Sequence, residues 1–147
     1  MRAVGYQRSL PITDLASLID VDLPCPAPMG RDILVRVGAV SVNPVDTKVR
    51  MRSAPEAGHW KVLGWDAAGI VEAAGPDTSL FAPGDAVFYA GALGRPGTNA
   101  EFHLVDERLV GDRPASLTVA EAASLPLTTV QQRDSTALAP DTRIRPL

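Results

Sequence analysis

Short stretches of alternating apolar and polar residues run along the chain as far as residue 110 and predict β-strands. Six segments show this pattern: MRAVGYQ, LIDVDLP, DILVRVGAVSV, VLGWDAAGIVEAAG, FAPGDAVFYAGA and AEFHLVDERLV. The third places Ile33, Val35 and Val37 on one face, and the fourth is a strand pair or one long bent strand. The fifth begins with Pro83 and Gly84 at the positions that a type II turn prefers. Thirteen prolines and twelve glycines separate the segments, which favours a barrel or sandwich.

Two segments break the strand pattern and predict short helices. In NPVDTKVRM, Asn43 suits the N-cap, Pro44 the first helical position and Asp46 the third. Thr118 and Glu121 form a capping box that opens the helix TVAEAASL.

The pattern changes after Val130. The segment QQRDSTALAPDTRIRPL has polar runs, two prolines and no apolar stripe, so we expect residues 131–147 to form a disordered tail. Residues 1–130 are therefore predicted to form a single domain.

Composition narrows the classes of function. Net charge is -3 at pH 7, which favours neither nucleic acid nor an anionic membrane as a partner. No apolar run approaches the roughly 18 residues of a membrane span, and the N-terminus lacks the apolar region of a signal peptide. We therefore expect a cytoplasmic protein. Cys25 is the sole cysteine, so the chain forms neither an internal disulfide nor a cysteine-rich zinc site.

Five motifs occur in an order that resembles a known family. They are NPVD, VLGWDAAGIVEAAGPD, FAPGDAVFYAG, NAEFHLVDERLV and AEAASLPLTT. Together they resemble the medium-chain dehydrogenase/reductase superfamily, in the branch of zinc-independent quinone oxidoreductases, also labelled zinc-type alcohol dehydrogenase-like. The resemblance covers about residues 1–130. It implies the N-terminal catalytic domain of that family, a mainly β, GroES-like β-barrel with short helices.

Full family members continue into a Rossmann domain, whose G-x-G-x-x-G motif seats the pyrophosphate of the cofactor. That motif is absent from these 147 residues, and VQQRDST departs from the family after residue 130. We expect a truncation, a frameshift or a pseudogene product, with a genuine short protein as the alternative. Without the Rossmann domain, tight NADPH binding and reductase activity are not expected. The missing return segment predicts an exposed strand edge and a homodimer.

Zinc is not expected. Zinc-dependent members place Gly-His-Glu where this chain has Gly64, Trp65 and Asp66, and tryptophan does not ligate zinc. The four-cysteine lobe of those members is missing too. One carboxylate without neighbouring histidine or cysteine falls short of the three protein ligands of a catalytic zinc.

The resemblance also implies site residues, each with a structural alternative. Asn43 and Asp46 match residues that line the cleft where nicotinamide meets substrate, and both also fit the helix cap. Trp65 is a candidate wall of the substrate pocket. Asp66 either orients a water or substrate hydroxyl in that pocket, or is a polar residue of the barrel wall hydrogen-bonded to backbone. Tyr89 is either a proton donor to a reduced carbonyl or a buried structural side chain.

Thr128 and Thr129 lie at the hinge where the family's catalytic domain meets its cofactor domain, and the resemblance makes them candidate nicotinamide contacts. The chemistry so implied is hydride transfer from NADPH to a quinone or to an activated carbonyl or alkene. The alternative is a standalone GroES-like module that binds or oligomerises without catalysis.

Overall fold

The computed structural model describes residues 1–127. Within that range it has eight strands, two α-helices and one 3-10 helix. The strands are β1 (Arg2–Tyr6), β2 (Ile19–Asp22), β3 (Asp32–Ser41), β4 (Lys61–Val62), β5 (Asp66–Ala74), β6 (Ala86–Ala90), β7 (Phe102–Asp106) and β8 (Val110–Asp112). The helices are α1 (Pro44–Arg52), the 3-10 helix Glu107–Leu109 and α2 (Val119–Ala123). Thr128, Thr129 and the predicted tail lie outside the described residues.

The strands form two antiparallel sheets. The smaller sheet has the order β2-β1-β4, and the larger has the order β7-β3-β5-β6-β8. A bridge between Ala3 and Ala100 connects β1 to the loop before β7. The mainly β fold predicted from the sequence is confirmed, in the form of two open sheets rather than one closed barrel.

The centre of the larger sheet is buried on both faces. One face carries the main core, formed by Ile33, Val35, Ala67, Val71, Val87, Tyr89 and Val105. On the other face, Ala122 and Ala123 of α2 pack against Ala68. This is why the middle of β5 has the continuous apolar run AAGIV, since a strand covered on both faces needs no polar side.

Helix α1 begins as its sequence signals predict. Asn43 is the N-cap with extended backbone (φ -122, ψ 162), and Pro44 follows at the first helical position. The Asp46 carboxylate accepts the Asn43 N–H at 2.8 Å, while the Asp46 N–H donates to the Asn43 carbonyl at 2.9 Å. Val45 and Val49 attach the helix to a second core cluster that contains Trp65.

Two predicted strands are divided in the structure. The segment 62–75 gives β4 and β5, which belong to different sheets, and Gly64 between them has φ 98. The segment 100–110 was predicted as one strand, and that prediction is wrong at its end. The Asp106 side chain accepts the Arg108 N–H at 2.9 Å, which caps a 3-10 turn and separates β7 from β8.

Candidate functional site

Asn43 and Asp66 converge where β3, β5 and α1 meet. Ser41, the last residue of β3, pairs with Asp66, the first residue of β5, and Asn43 follows Ser41 by two residues. The Asn43 Nδ2 group donates to Asp66 Oδ2 at 3.0 Å. The Leu127 N–H donates to Asp66 Oδ1 at 3.0 Å. One carboxylate thus accepts hydrogen bonds from two segments that are far apart in the sequence.

Asp66 is fully buried, with an exposed fraction of 0%. Burial is the main cause that raises the pKa of its carboxyl, and the charge of Asp46 raises it further. The hydrogen bonds from Asn43 and Leu127 act in the opposite direction. Asn43, in contrast, is half-buried.

Asp46 lies in the first turn of α1 and is 5% exposed. Its Oδ2 accepts the Asn43 N–H, whereas its buried Oδ1 has no hydrogen-bond partner. Beside it is a cavity of about 150 Å³ that Thr47 and Arg50 also line. The observed contact supports the capping role, while a direct role toward a ligand stays a prediction.

The structure does not bring Tyr89 to this site. Tyr89 pairs with Ala67 across β5 and β6, and neighbouring residues of a strand point to opposite faces, so Tyr89 and Asp66 lie on different faces of the sheet. Burial strongly raises the pKa of Tyr89, and its hydroxyl lies 3.0 Å from His103 Nδ1. This position favours the structural alternative, and no observation supports the proton-donor role.

Trp65 packs with Tyr6 and Leu63 and is almost fully buried. Its indole Nε1 is buried without a hydrogen-bond partner. Trp65 therefore belongs to the core cluster against which α1 packs. That it forms a wall of the substrate pocket remains a prediction. Of the predicted cofactor contacts, Thr128 and Thr129 lie outside the described residues.

Sequence reasoning missed one contact of the site and one buried side chain beside Tyr89. The first is the Leu127 N–H on Asp66, for which no sequence signal exists because a main-chain group looks alike at every position. The second is the burial of His103, which is 5% exposed. The alternation in FHLVD does indicate it, since His103 and Val105 share the inward face.

Residues 30–115 match the family known as the alcohol dehydrogenase GroES-like domain. The chain belongs to this family. The resemblance found in the sequence is thereby confirmed, and relatives occur among zinc-type alcohol dehydrogenase-like proteins and quinone oxidoreductases. Within residues 1–127, no helix of this GroES-like domain is long and apolar enough to cross a membrane.

The relatives of this GroES-like domain are longer proteins. A zinc-type alcohol dehydrogenase-like protein of Staphylococcus aureus is 44% identical over 128 residues, which are 87% of this chain and 38% of that protein. A crystal structure from Rhizobium etli CFN 42, of a protein assigned to the zinc-dependent alcohol dehydrogenases, is 64% identical with a TM-score of 0.89. It covers 92% of this chain and 39% of its own. The chain thus spans about two fifths of these relatives.

Two further structures bear on the reaction and the cofactor of such domains. The quinone oxidoreductase of Coxiella burnetii has a TM-score of 0.81 at 27% identity and covers 94% of this chain and 45% of its own. A mycobacterial protein complexed with NADPH has the same TM-score and identity, and covers 97% of this chain and 43% of its own. NADPH is therefore bound in a related structure.

The names of some relatives imply zinc, but the donors at this site do not fit it. Both oxygens of Asp66 already accept N–H groups, and the side chain that donates to it is the Asn43 amide. Among residues 1–127 no three histidine, cysteine or carboxylate side chains are grouped so that they could hold a metal ion. A catalytic zinc needs three such protein ligands.

The donors at the site fit a nicotinamide better than a metal. Asn43 presents a half-buried amide, and amides pair well with the carboxamide that nicotinamide carries because each group has donors and an acceptor. A NADPH molecule would supply a hydride, and Asn43 would orient its ring.

Proposed function

We propose that this domain forms the substrate side of a zinc-independent, NADPH-dependent oxidoreductase that reduces quinones or activated carbonyl or alkene compounds. The observation that carries the proposal is the Asn43–Asp66 pair, in which a fully buried carboxylate holds a half-buried amide at the start of α1. Similarity to a quinone oxidoreductase and to an NADPH-bound protein supports it. The absence of zinc is part of the proposal and is supported by the donor set described above.

The roles of the residues follow from their positions. Asn43 orients a ligand because its side chain is held by Asp66, and a reacting group held in place reacts faster than one that tumbles. Asp66 fixes Asn43. Trp65 and the core cluster to which it belongs exclude water from the buried side of the site. Hydride transfer itself is the chemistry of the cofactor.

We further propose that the 147-residue chain alone does not oxidise NADPH. Its sequence contains no G-x-G-x-x-G segment, and the pyrophosphate of a dinucleotide needs such a turn at a helix N-terminus. A cytoplasmic location also remains a prediction, which cell fractionation would check.

The test is to locate quinone binding on the chain by amide chemical shifts. Duroquinone is the suitable probe, since its ring positions are all substituted and the exposed Cys25 cannot add to it. We expect shifted amide signals to cluster around Asn43, Trp65 and Asp66. Durene, the hydrocarbon of the same shape, should leave them in place. No shifts, or equal shifts with durene, would contradict quinone recognition, and catalysed NADPH loss in the same sample would contradict inactivity.

A groove favours the alternative function, a binding module without catalysis. It measures about 340 Å³ and is lined by Val4, by residues 37–40 of β3 and by residues 98–100. The homodimer predicted from the sequence would use this edge of β3. The duroquinone measurement separates the two functions, because a pure binding module would show no response to duroquinone.

A further inference from the structure

A cavity of about 400 Å³ is lined by residues of β4, an outer strand of the smaller sheet, and of β7, an outer strand of the larger one. Small-molecule sites have volumes of roughly 300–1,000 Å³ and apolar walls with a few polar groups. The cavity has this composition, with Arg95 as its charged side chain. The main apolar side chains of its walls are Leu23, Pro24, Trp60, Val62, Phe102 and Leu104. Asn43, Trp65 and Asp66 do not line it, so it is distinct from the site at the start of α1.

The loop at residues 95–97 forms one wall of the cavity and is fixed to both sheets. Arg95 donates through Nη1 and Nη2 to the two carboxylate oxygens of Asp32, the first residue of β3, at 2.8 and 2.7 Å. The Gly97 N–H donates to the Val62 carbonyl of β4 at 3.1 Å. A ligand therefore does not have to order this wall before it binds, and such preorganisation favours affinity.

The charged groups of the cavity are already held by acceptors. The guanidinium of Arg95 is paired with Asp32, and the Met1 amino group donates to the Leu23 carbonyl at 2.7 Å. A ligand carboxylate placed beside Arg95 would lie close to the negative charge of Asp32 and would lose its water, and both effects cost free energy. The cavity therefore suits an uncharged ligand.

The remaining polar capacity of the cavity is that of a donor. A guanidinium has more N–H groups than one carboxylate accepts from, and the Arg95 side chain is 33% exposed, so it keeps donors for a ligand. Both ring nitrogens of His103 are already occupied, one by Pro96 and one by Tyr89. A ligand that fits this inventory carries an acceptor such as a carbonyl oxygen.

We propose that this cavity is a second ligand site, which binds an uncharged aromatic molecule that carries a hydrogen-bond acceptor, with Arg95 as the donor and Asp32 as the residue that excludes anions. The aromatic class follows from the walls, because the rings of Trp60 and Phe102 pair with a ligand ring and a guanidinium packs against one. The inference is independent of the proposed function, since the lining residues do not include Asn43.

The test compares two flat probes of similar size, acetophenone and benzoate, which differ in charge. Amide chemical shifts of the purified chain should locate acetophenone at Phe102, His103 and Leu104, and the indole N–H signal of Trp60 should move with them. Acetophenone should bind about tenfold more tightly than benzoate, because the carboxylate must be desolvated beside Asp32.

A substitution at Asp32 tests the selection against anions. In Asp32→Asn the order of the two probes should reverse, because the released guanidinium of Arg95 can pair with a ligand carboxylate through two parallel hydrogen bonds. Asp112→Asn removes the same charge at an exposed residue of β8, at the opposite side of the larger sheet. This control should keep the wild-type order, and an unchanged order in Asp32→Asn would show that Arg95 does not contact the ligand.

Results on the wild type alone can overturn the inference, so it does not depend on the folding of a variant. If neither probe shifts a signal between residues 95 and 104, the cavity is not a ligand site. Benzoate binding as tight as that of acetophenone would refute the exclusion of anions. If these signals move with protein concentration in the absence of a probe, a second copy of the chain fills the cavity instead.

Discussion

His103 is a single residue whose charge state is set by its surroundings in the larger sheet. Its Nε2 lies 2.9 Å from the Pro96 carbonyl, which only accepts, so Nε2 carries the proton and Nδ1 accepts from the Tyr89 hydroxyl at 3.0 Å. Burial, helped by the charge of Arg95, lowers the pKa of His103 to about 4, although the Pro96 carbonyl and Asp32 oppose the change. The folded protein therefore keeps this ring neutral.

We expect the free energy of unfolding to fall as the pH drops from 6.5 to about 4. In this window the unfolded chain binds a proton at His103 that the folded protein does not, so acid favours unfolding. The loss is on the order of 3 kcal/mol and ends below the folded pKa, where both states are protonated. Urea unfolding at a series of pH values measures it.

Two variants identify His103 as the source of this loss. His103→Gln should flatten the dependence on pH, while His59→Gln, at an exposed site, should retain the wild-type slope. An unchanged slope in His103→Gln would show that another group titrates.

At the scale of elements, the 3-10 helix Glu107–Leu109 attaches a loop to the larger sheet. The buried Glu107 carboxylate accepts the N–H groups of Ser79 at 2.9 Å and Leu80 at 2.7 Å, and pairs with Arg31 at 2.6 Å. Burial alone would raise the pKa of Glu107, but these N–H groups and Arg31 outweigh it and lower the pKa. One side chain thus joins three segments.

We expect Glu107→Gln to destabilise the fold strongly, because glutamine keeps only one acceptor oxygen. If that oxygen accepts the N–H groups of Ser79 and Leu80, its NH2 group faces Arg31, a cation that is left without its partner. Glu72→Gln is the matched control. Glu72 pairs with Arg36 at 3.3 Å where both side chains are about half exposed, and such pairs contribute less than about 1 kcal/mol. Thermal unfolding compares the two, and equal losses would show that the loop is not held by Glu107.

At the scale of the whole molecule, one edge of the central strand β3 is incompletely covered by the residues that the structure describes. Strand β7 pairs with β3 only over Asp32–Arg36, and beyond it β3 borders the 340 Å³ groove. Val40, which lines this groove, is 39% exposed. Open strand edges with apolar side chains promote association.

Because of this edge we expect the chain to form a concentration-dependent homodimer. Val40→Lys should shift it to monomer, since a charge in the groove opposes strand pairing. Leu15→Lys places the same charge at a residue that is 95% exposed in the loop between β1 and β2 and should leave the dimer intact. Sedimentation velocity gives the masses, and a wild-type monomer at every concentration would refute the expectation.

Features of the fold were predicted correctly where the residues that determine them lie close together in the sequence. Helix α1 and its cap were predicted at the observed residues because Asn43, Pro44 and Asp46 signal within one turn. The turn at Ala82–Asp85 was predicted for the same reason, and Gly84 has the expected positive φ of 101. The break between β7 and β8 was missed because Glu107 is drawn inward by a loop almost 30 residues earlier.

The candidate site was predicted in part. Asn43 and Asp66 were both named, but their hydrogen bond was not, because a pair that is 23 residues apart becomes neighbours only through the register of β3 and β5. For Asp66 and Tyr89, the choice between a functional and a structural role depended on how deeply each side chain is buried. A short sequence pattern does not determine this for polar residues.

Asp66 also links Asn43 to the main chain at Leu127. Both contacts belong to one carboxylate, so the strength of each depends on the position of the other. Suppose that a ligand which orders Asn43 strengthens the hydrogen bond between Leu127 and Asp66. By thermodynamic reciprocity, an interaction that holds Leu127 in place then strengthens ligand binding by the same free energy. The start of α1 and the main chain at residue 127 are therefore expected to be energetically coupled through the buried Asp66 carboxylate.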